Sequence, residues 1–366
     1  MIFVNGVHIS TDSSSSQGSD IVDALMKNLT LVTTSCSFRA IPVKKFSSLE
    51  ESGSESSMQT RYVYVFQREY ATVDPALVDL VGTDEATTCV GLVIRNRENG
   101  MTSVAHMDSP NVVNTGLEQM LPLIVNNNSD VELDVHLIGG FEDASPNHEN
   151  NGTIAGSHTK LDGYSFPLCT KIVETLERSQ LKFHIQTLFV LRHNTRRDSK
   201  GNACPIFSGF VVETSTGSVI PACFDKTSRC PDEIVRRIRV SASFEDPSWE
   251  GRLLETYDTQ NDQFKIAPCS WSSRQFYIAL RLQDLSDLEI LNMCSTSPSA
   301  EGPDFVDNLR RQIEYVIKHP AWLESFPGRE ARVFKRRRIA AAGGGRGRGR
   351  GRGWTWSRTK TEGAAD

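Results

Sequence analysis

Two runs of mainly β-branched and aliphatic residues mark adjacent strands in the first third of the chain. Residues 87–95 and 101–106 are rich in β-branched and aliphatic side chains, and the turn-prone residues between them end in Gly100. This pattern predicts a β-hairpin. Residues 131–138 also alternate strictly, up to a pair of glycines, and predict a half-exposed strand that ends at a turn or a site.

The remaining hydrophobic patterns predict further strands and helices. Strand-like patterns occur at residues 2–10, 61–66, 181–191, 206–212, 218–222 and 275–282. Helical patterns occur at residues 20–29, 75–81, 167–177, 231–240 and 304–318. Strands in hairpins with interspersed helices indicate an α+β fold of mainly antiparallel sheets with helices on their outer faces.

The length of 366 residues exceeds the usual size of one domain, yet no internal linker divides the chain before its C-terminus. We therefore predict one domain over residues 1–334, with mobile loops at about 11–19, 47–57 and 142–164, and a disordered tail over residues 335–366. No apolar run reaches the roughly eighteen residues that a membrane span needs, and no targeting pattern is present. We expect a soluble intracellular protein.

The eight cysteines show neither CxxC motifs nor paired Cys and His spacing. Such a sequence does not favour a disulfide framework or a structural zinc site. We therefore expect no metal and no cofactor. Reduced thiols are expected at Cys36, Cys169, Cys204, Cys223, Cys230, Cys269 and Cys294.

Cys89 and His106 lie at the ends of the two hairpin strands. If the loop covers residues 97–100, with its glycine at positive φ, Asn96 pairs with Met101. The thiol and the imidazole are then diagonal neighbours on one face, with Cβ atoms roughly 7–8 Å apart. A tight two-residue turn would instead separate them by on the order of 13 Å along the strand.

Cys89 and His106 are candidates for a nucleophile and its base. A thiolate beside an imidazole is a common acyl-transfer nucleophile. Cys89 follows a polar segment with three hydroxyl groups, and His106 leads into the polar Asp108, so both residues lie where side chains reach solvent. The alternative is a cysteine that only fills the core, since cysteine is among the most buried residue types.

Six short motifs occur in a defined order along the chain. The most specific is GTDEATTC at residues 82–89, with His106 seventeen positions after its cysteine. The others are HLIGGF (136–141), CSWS (269–272), STSP (295–298), KHP (318–320) and FPG (326–328). Together they resemble the protein N-terminal asparagine amidohydrolase family, of the plant type, over residues 61–335. The Cys and His spacing is also similar to bacterial chemoreceptor glutamine deamidases and to the catalytic domain of cytotoxic necrotizing factor.

The resemblance implies a nucleophile at Cys89, a base at His106 and an orienting hydroxyl at Thr83. The implied reaction removes ammonia from the side-chain amide of an N-terminal Asn through a Cys thioester and feeds the N-degron degradation pathway. The implied fold is an α-β-β-α sandwich. Backbone N–H groups of Thr88 and Cys89 are the natural donors to the oxyanion. A turn hydroxyl is the alternative role for Thr83, and His136 is predicted as a sheet histidine, with support of the site as the alternative.

An N-terminal substrate carries an α-ammonium group, and burying that charge without a partner is costly. We predict that at least one nearby carboxylate receives it. Asp84 and Glu85 are the acids closest before Cys89, and Asp108 follows His106 by two residues. Exposed turn acids without a role are the alternative for each. A pocket that fixes both the ammonium and the amide carbon should also reject Gln.

The C-terminal residues carry a charge opposite to that of the rest of the chain. From Arg332 onward the net charge is +9, whereas the remainder carries −14. A basic cluster at residues 335–338 and a Gly-Arg segment at residues 345–353 make import receptors and RNA candidate partners. We expect a monomer in the cytoplasm, with the nucleus as a second candidate location. A flexible solubilising tail, absent from the animal enzymes that the body resembles, is the alternative.

Two further function classes stay open from the residues alone. A nucleic-acid-associated adaptor on an inactive amidase fold would bind RNA through its tail, with steep salt dependence. The acidic body disfavours this as the main role. A protease could use the same Cys and His, because these residues do not by themselves separate peptide hydrolysis from side-chain amide hydrolysis.

Overall fold

The computed structural model describes most of the chain. The described residues are 1–9, 18–47, 60–126, 130–143, 163–336 and 354–357. The loops predicted at residues 11–19, 47–57 and 142–164 therefore lie almost entirely outside the described residues, as does most of the predicted tail.

Helices and strands alternate along the described chain. The helices are α1 (Gly18–Lys27), α2 (Leu29–Arg39), α3 (Val113–Met120), α4 (Pro122–Val125), α5 (Ser165–Arg178), α6 (Glu233–Ser243), α7 (Ser273–Gln283), α8 (Asp287–Cys294) and α9 (Phe305–Lys318). The strands are β1 (Ile2–Val4), β2 (Val7–His8), β3 (Lys44–Phe46), β4 (Tyr62–Tyr64), β5 (Glu69–Val73), β6 (Leu80–Thr83), β7 (Val90–Asn96), β8 (Thr102–Met107), β9 (Glu132–Gly139), β10 (Lys182–Phe189), β11 (Thr195–Arg197), β12 (Ala203–Pro205), β13 (Phe210–Glu213), β14 (Val219–Phe224), β15 (Leu254–Glu255), β16 (Tyr257–Asp258), β17 (Gln263–Ile266), β18 (Arg332–Arg336) and β19 (Trp354–Ser357). None of the described helices is long and apolar enough to cross a membrane.

An eight-stranded sheet forms the centre of the fold, in the order β15-β5-β8-β7-β9-β10-β1-β2. Strands β7 and β8 are antiparallel to their neighbours, whereas β10 pairs in parallel with β9 and β1. Leu92 and Ile94 of β7 lie on one face, because alternate side chains of a strand share a face. There they join Ile21, Val113 and Ile172 of helices α1, α3 and α5 in a buried core.

A five-stranded sheet, ordered β3-β14-β13-β6-β4, packs against the other face of the eight-stranded sheet. Val93 and Val104 of the larger sheet share a second core with Val81 and Phe210 of the smaller one. Helices α6, α7 and α9 add further side chains to this core. Two stacked, mainly antiparallel sheets with helices in both cores confirm the predicted α+β class.

Two of the predicted elements are wrong. Residues 75–81, predicted as a short helix, form a turn that leads into β6. Residues 275–282, predicted as a strand, belong to α7. This helix starts with a capping box, in which Ser272 Oγ accepts the Gln275 N–H and the Gln275 side chain accepts the Ser272 N–H. The cap and the packing of Ala279 in the second core outweigh the short alternating pattern.

The hairpin of β7 and β8 has the wider of the two loops considered from the sequence. The Asn96 N–H donates to the Met101 carbonyl at 3.0 Å, and Gly100 has a φ of 74°. Gly91 pairs with His106 along the two strands. The predicted register is confirmed.

The C-terminal strands form a four-stranded antiparallel sheet in the order β16-β17-β18-β19. Strand β18 ends at Arg336, two residues past the predicted domain boundary at residue 334. Strand β19, from the predicted tail, pairs antiparallel with β18. Residues 337–353, which hold the Gly-Arg segment, lie outside the described residues.

Candidate active site

His106 and Thr83 meet between the two stacked sheets. His106 lies on β8 of the larger sheet, and Thr83 ends β6 of the smaller one. Thr83 Oγ1 is 2.8 Å from His106 Nδ1, and both side chains are buried. Thr83 Oγ1 also donates to the Asp84 carbonyl at 3.4 Å. Because the Thr83 hydroxyl donates its hydrogen to the Asp84 carbonyl, its oxygen accepts a hydrogen bond from the Nδ1–H group of His106. In the tautomer that carries its proton on Nδ1, the His106 Nε2 atom has no proton.

The Nε2 atom of His106 is available as a base. It is buried and has no hydrogen-bond partner among the described residues. Burial lowers the pKa of His106 to about 4, with Glu69 opposing and Arg237 adding to this shift. The imidazole is therefore neutral at pH 7. A neutral imidazole with a free nitrogen can accept a proton from a nearby thiol.

Cys89 lies directly before β7, at the strand end beside His106. Because Gly91 pairs with His106, continuing the register sets Cys89 opposite Asp108 and diagonal to His106. Diagonal neighbours on one face have Cβ atoms roughly 7–8 Å apart. Cys89 is partly exposed, whereas His106 is buried. The thiol and the imidazole thus lie at the same edge of the sheet.

Gly91 allows the two sheets to approach closely at this level. A Cβ atom at Gly91 would lie 2.2 Å from Cε1 of Phe210. Phe210 is the partner of Thr83 in the smaller sheet. The absence of a side chain at Gly91 therefore permits the sheet spacing at which Thr83 and His106 are in hydrogen-bond contact.

The Cys89 thiol lies among acidic groups. Burial raises its pKa well above the usual value, and the charges of Asp108 and Glu301 raise the pKa further. A hydrogen bond with the Thr88 side chain acts in the opposite direction. The free protein therefore holds a protonated thiol at neutral pH. Positive charge near these carboxylates would favour the thiolate.

Asp84, the first of the predicted ammonium-binding acids, is engaged by the protein itself. Its carboxylate accepts hydrogen bonds from the Tyr64 hydroxyl at 2.6 Å, the Phe224 N–H at 2.7 Å and Arg229 Nη2 at 3.0 Å. Burial raises the pKa of Asp84, and the Arg229 charge opposes this shift. These contacts occupy the carboxylate, so the geometry does not favour Asp84 as a ligand for a substrate.

Glu85, the second predicted acid, is also paired within the protein. Its carboxylate lies 2.9 Å from both Arg229 Nη1 and Arg237 Nη1, and 3.1 Å from Asn308 Nδ2. Glu85 has a φ of 62°, a conformation that is uncommon outside glycine. The two arginines stabilise this strained turn before Cys89, so the geometry assigns Glu85 to support of the turn.

Asp108, the third predicted acid, retains a free oxygen. Its Oδ1 atom is buried without a hydrogen-bond partner in the part of the chain that the structure describes. Its Oδ2 atom accepts from Gln67 Nε2 at 3.4 Å, a long contact. Burial raises the pKa of Asp108, and the charge of Arg68 opposes this shift. The free oxygen can accept a hydrogen bond from an ammonium group.

Glu301 is an acid of the site that the sequence reasoning missed. The STSP motif brings it near Cys89: Thr296 Oγ1 lies 3.3 Å from Thr88 Oγ1, and Ser295 Oγ donates to Glu301 at 2.5 Å. Burial raises the pKa of Glu301, with Ser295 opposing. The Ser297 hydroxyl is buried and unpartnered within the described chain. In the sequence, the STSP motif was the one available signal for Glu301, because 212 residues separate Glu301 from Cys89, the candidate nucleophile.

The predicted oxyanion donors have unoccupied N–H groups. Within the described chain, no backbone carbonyl accepts from the N–H of Thr88 or Cys89. The Thr88 carbonyl accepts a hydrogen bond from Ser165 Oγ at 3.3 Å. Neither N–H group therefore has a backbone partner among the described residues, as a donor to a substrate oxygen requires.

The HLIGGF, CSWS and KHP motifs lie away from the Cys89 thiol in sequence and have the following positions in the fold. His136 pairs with Val93 in the sheet, and its Nδ1 atom lies 3.1 Å from Thr187 Oγ1, which confirms a sheet histidine. The CSWS and KHP motifs meet where Trp271 Nε1 donates to the His319 carbonyl at 3.0 Å.

A cleft of about 750 Å³ beside Trp271 contains none of the residues around Cys89. In the described residues, no cluster of three or more His, Cys, Asp or Glu is arranged to hold a metal.

A thiol, a neutral imidazole and a hydroxyl that contacts the imidazole are the groups with which amides are hydrolysed by covalent catalysis, so the fold and the site indicate an amide hydrolase. The family model for protein N-terminal asparagine amidohydrolase matches residues 52–342. The chain belongs to this family.

Similar proteins cover most of the chain. The protein N-terminal asparagine amidohydrolase of Arabidopsis thaliana is 57% identical over 342 residues, which are 92% of this chain and 97% of that protein. The proteins of the same name from Homo sapiens and Mus musculus are 30% and 29% identical over 284 and 286 residues, in each case 75% of this chain and 81% of the relative. The resemblance inferred from the six motifs is confirmed.

Proposed function

We propose that this protein hydrolyses the side-chain amide of an Asn at the N-terminus of a polypeptide, giving N-terminal Asp and ammonia. The observation that carries the proposal is the 2.8 Å contact of Thr83 with His106, beside Cys89 on the same hairpin, in a member of the amidohydrolase family.

The groups of the site support a covalent mechanism. His106 Nε2 takes the thiol proton, and the Cys89 sulfur forms a bond to the amide carbon, whose carbonyl oxygen becomes an oxyanion. The oxyanion collapses as the carbon–nitrogen bond breaks, and the protonated imidazole gives its proton to the departing nitrogen, which leaves as ammonia. His106 then takes a proton from water, whose oxygen attacks the thioester carbon. The carbon–sulfur bond breaks, the Asp carboxyl is released, and the protonated imidazole returns its proton to the Cys89 sulfur. Thr83 keeps the imidazole in the required tautomer throughout.

Recognition of the substrate's α-ammonium is assigned to Asp108, together with Glu301. Among the described residues, the buried Oδ1 atom of Asp108 has no hydrogen-bond partner, and the charges of both carboxylates raise the pKa of the Cys89 thiol. The substrate's ammonium group, bound between the carboxylates of Asp108 and Glu301, replaces the water that these carboxylates lose on burial. Gln places its amide one methylene further from the ammonium, so a pocket fixed at both ends should reject it.

A comparison of three peptides tests this specificity. We expect deamidation of a free Asn-initiated peptide, and a rate at least about 100-fold lower for the N-acetyl-Asn and free Gln peptides. Asp108→Asn and Glu301→Gln should each raise KM for the free Asn peptide, whereas Asp130→Asn, an exposed control with its carboxylate on Lys182, should not. Equal turnover of acetylated and free Asn peptides would remove ammonium recognition from the proposal.

The proposal extends to the cellular setting. An N-terminal Asp is the type of residue that an N-degron pathway can modify further, so we place the reaction before such a step in protein degradation. We place the protein in the cytoplasm and the nucleus as a monomer, with import receptors or RNA binding the basic tail. The opposite charges of residues 1–331 and 332–366, −14 and +9, support binding of such partners.

A further inference from the structure

Ser165 links helix α5 to the residue before the candidate nucleophile. Ser165 is the first residue of α5 and is fully buried. Its Oγ atom donates to the Thr88 carbonyl at 3.3 Å and accepts from the Phe141 N–H at 3.2 Å. One hydroxyl thus connects the GTDEATTC motif with the end of the HLIGGF motif.

The hydrogen bond from Ser165 fixes the orientation of the Thr88–Cys89 peptide. In a trans peptide the carbonyl and the following N–H point in opposite directions. Because the Thr88 carbonyl points toward Ser165, the Cys89 N–H points away from α5. No described backbone carbonyl accepts this N–H, and an unpaired N–H beside a nucleophile is available to a substrate oxygen.

The surroundings of Ser165 hold its hydroxyl in place. Asp143 accepts hydrogen bonds from the N–H groups of Tyr164 at 2.7 Å and Ser165 at 3.2 Å, which fixes the start of α5. Gly139 and Gly140 have φ values of 111° and 50°. A Cβ atom on Gly139 would lie 2.7 Å from the Cys89 carbonyl oxygen, and one on Gly140 would lie 3.2 Å from Ser165 Cβ. The two glycines therefore permit the close approach that these contacts require.

We propose that Ser165 is a positioning residue: it turns the Thr88–Cys89 peptide so that the Cys89 N–H donates to the oxyanion formed on the substrate amide. This role rests on the proposed function. Among the described residues, Ser165 makes no hydrogen bond to the thiol or the imidazole, so it acts on the transition state for acyl transfer and leaves the acidity of Cys89 unchanged.

Two reactions of the same thiol separate this role from a general structural one. Ser165→Ala should lower kcat for an Asn-initiated peptide by about ten- to a hundredfold, with KM within about threefold. Alkylation of Cys89 by iodoacetamide, followed by mass spectrometry of its tryptic peptide, should proceed at the wild-type rate, because this reaction forms no oxyanion. Ser35→Ala is a matched control, since buried Ser35 also donates to a carbonyl, that of Leu188 at 3.0 Å.

A second pair of variants covers the case in which Ser165→Ala does not fold. Ser165→Thr and Ser165→Val have the same shape but only the first keeps a donor, so Thr should exceed Val in kcat by about tenfold or more. Equal kcat in this pair, or a parallel loss of alkylation and turnover in Ser165→Ala, would overturn the role of Ser165. Absence of deamidation by the wild-type protein would instead overturn the proposed function itself.

Discussion

In the free protein, the surroundings of Cys89 favour its protonated thiol. Burial and the charges of Asp108 and Glu301 raise the pKa of the thiol, and the neutral His106 adds no positive charge. The α-ammonium of a substrate would offset the two carboxylates and lower the pKa of the thiol. We therefore propose that binding of the correct N-terminus and activation of Cys89 are coupled through these acids.

Asp108→Asn should separate activation of the Cys89 thiol from binding of the substrate. Removal of one negative charge lowers the pKa of Cys89, so the thiolate fraction at a given pH rises and the pH profile of iodoacetamide alkylation moves to lower pH. Turnover of the Asn-initiated peptide should nevertheless fall by about tenfold or more, because the ammonium loses a partner. A variant that loses both alkylation and turnover would show that Asp108 supports the strand end instead.

Thr83 offers a test of the imidazole contact with two variants of similar size. Thr83→Val removes the hydroxyl that lies 2.8 Å from His106 Nδ1 and should lower kcat by about tenfold or more, whereas Thr83→Ser keeps the hydroxyl and should stay within about threefold of the wild type. Steady-state kinetics on an Asn-initiated peptide give both values. Equal activities of the two variants would assign Thr83 to packing alone.

The candidate residues differ in how visible they are in the sequence. Cys89 and His106 could be paired because one hairpin register relates them, whereas Thr83 was implied by the family resemblance. Tertiary folding brings Glu301 and Ser165 to the same place, so only the neighbouring STSP motif gave a signal for Glu301 and no local pattern revealed Ser165. Sequence proximity also gave weight to acids such as Asp84, whose carboxylate is engaged by a distant arginine.

At the scale of elements, loop chemistry proved more informative than short alternating patterns. Gly100 at positive φ selects the wider hairpin loop, and this choice sets the thiol and the imidazole on one face. The alternation at residues 275–282 predicted a strand, but the segment is helix α7. Its capping box, Ser272 with Gln275, was readable in the sequence and is the better guide to such a short segment.

Gly91 connects the hairpin to the second sheet, and its substitution tests that contact. Gly91→Ala would place a methyl group 2.2 Å from a Phe210 ring atom, so the sheets must separate or the ring must move. Overpacking of this kind costs about 1–3 kcal/mol, and we expect a lower thermal midpoint together with reduced turnover. Gly302→Ala, where the nearest atom is an Asp304 carboxylate oxygen at 3.3 Å, is the stability control. An unchanged midpoint for Gly91→Ala would contradict the close sheet contact.

At the scale of the whole molecule, we propose that the acidic body and the basic C-terminal residues have separable roles. The composition predicted this division of charge. In the structure, β18 pairs with β17 up to Lys335 and buries Phe334, so a truncation that leaves the body intact must begin after β18. Deletion of residues 337–366 should leave the rate on Asn peptides unchanged and abolish any RNA binding in gel-shift assays. Deletion from residue 333 should also lower the thermal midpoint. A loss of activity above about tenfold on the shorter deletion would mean that the tail contributes to the site.

The central claim is that Cys89 is the nucleophile in side-chain deamidation, and one mass measurement tests it most directly. A synthetic Asn-initiated peptide is incubated with the wild-type protein or with Cys89→Ala, and the peptide mass is followed. We predict a gain of roughly 1 Da with an intact peptide backbone for the wild type, and no change for a folded Cys89→Ala protein. Turnover by Cys89→Ala at a tenth of the wild-type rate, or cleavage of the peptide backbone by the wild type, would contradict the account.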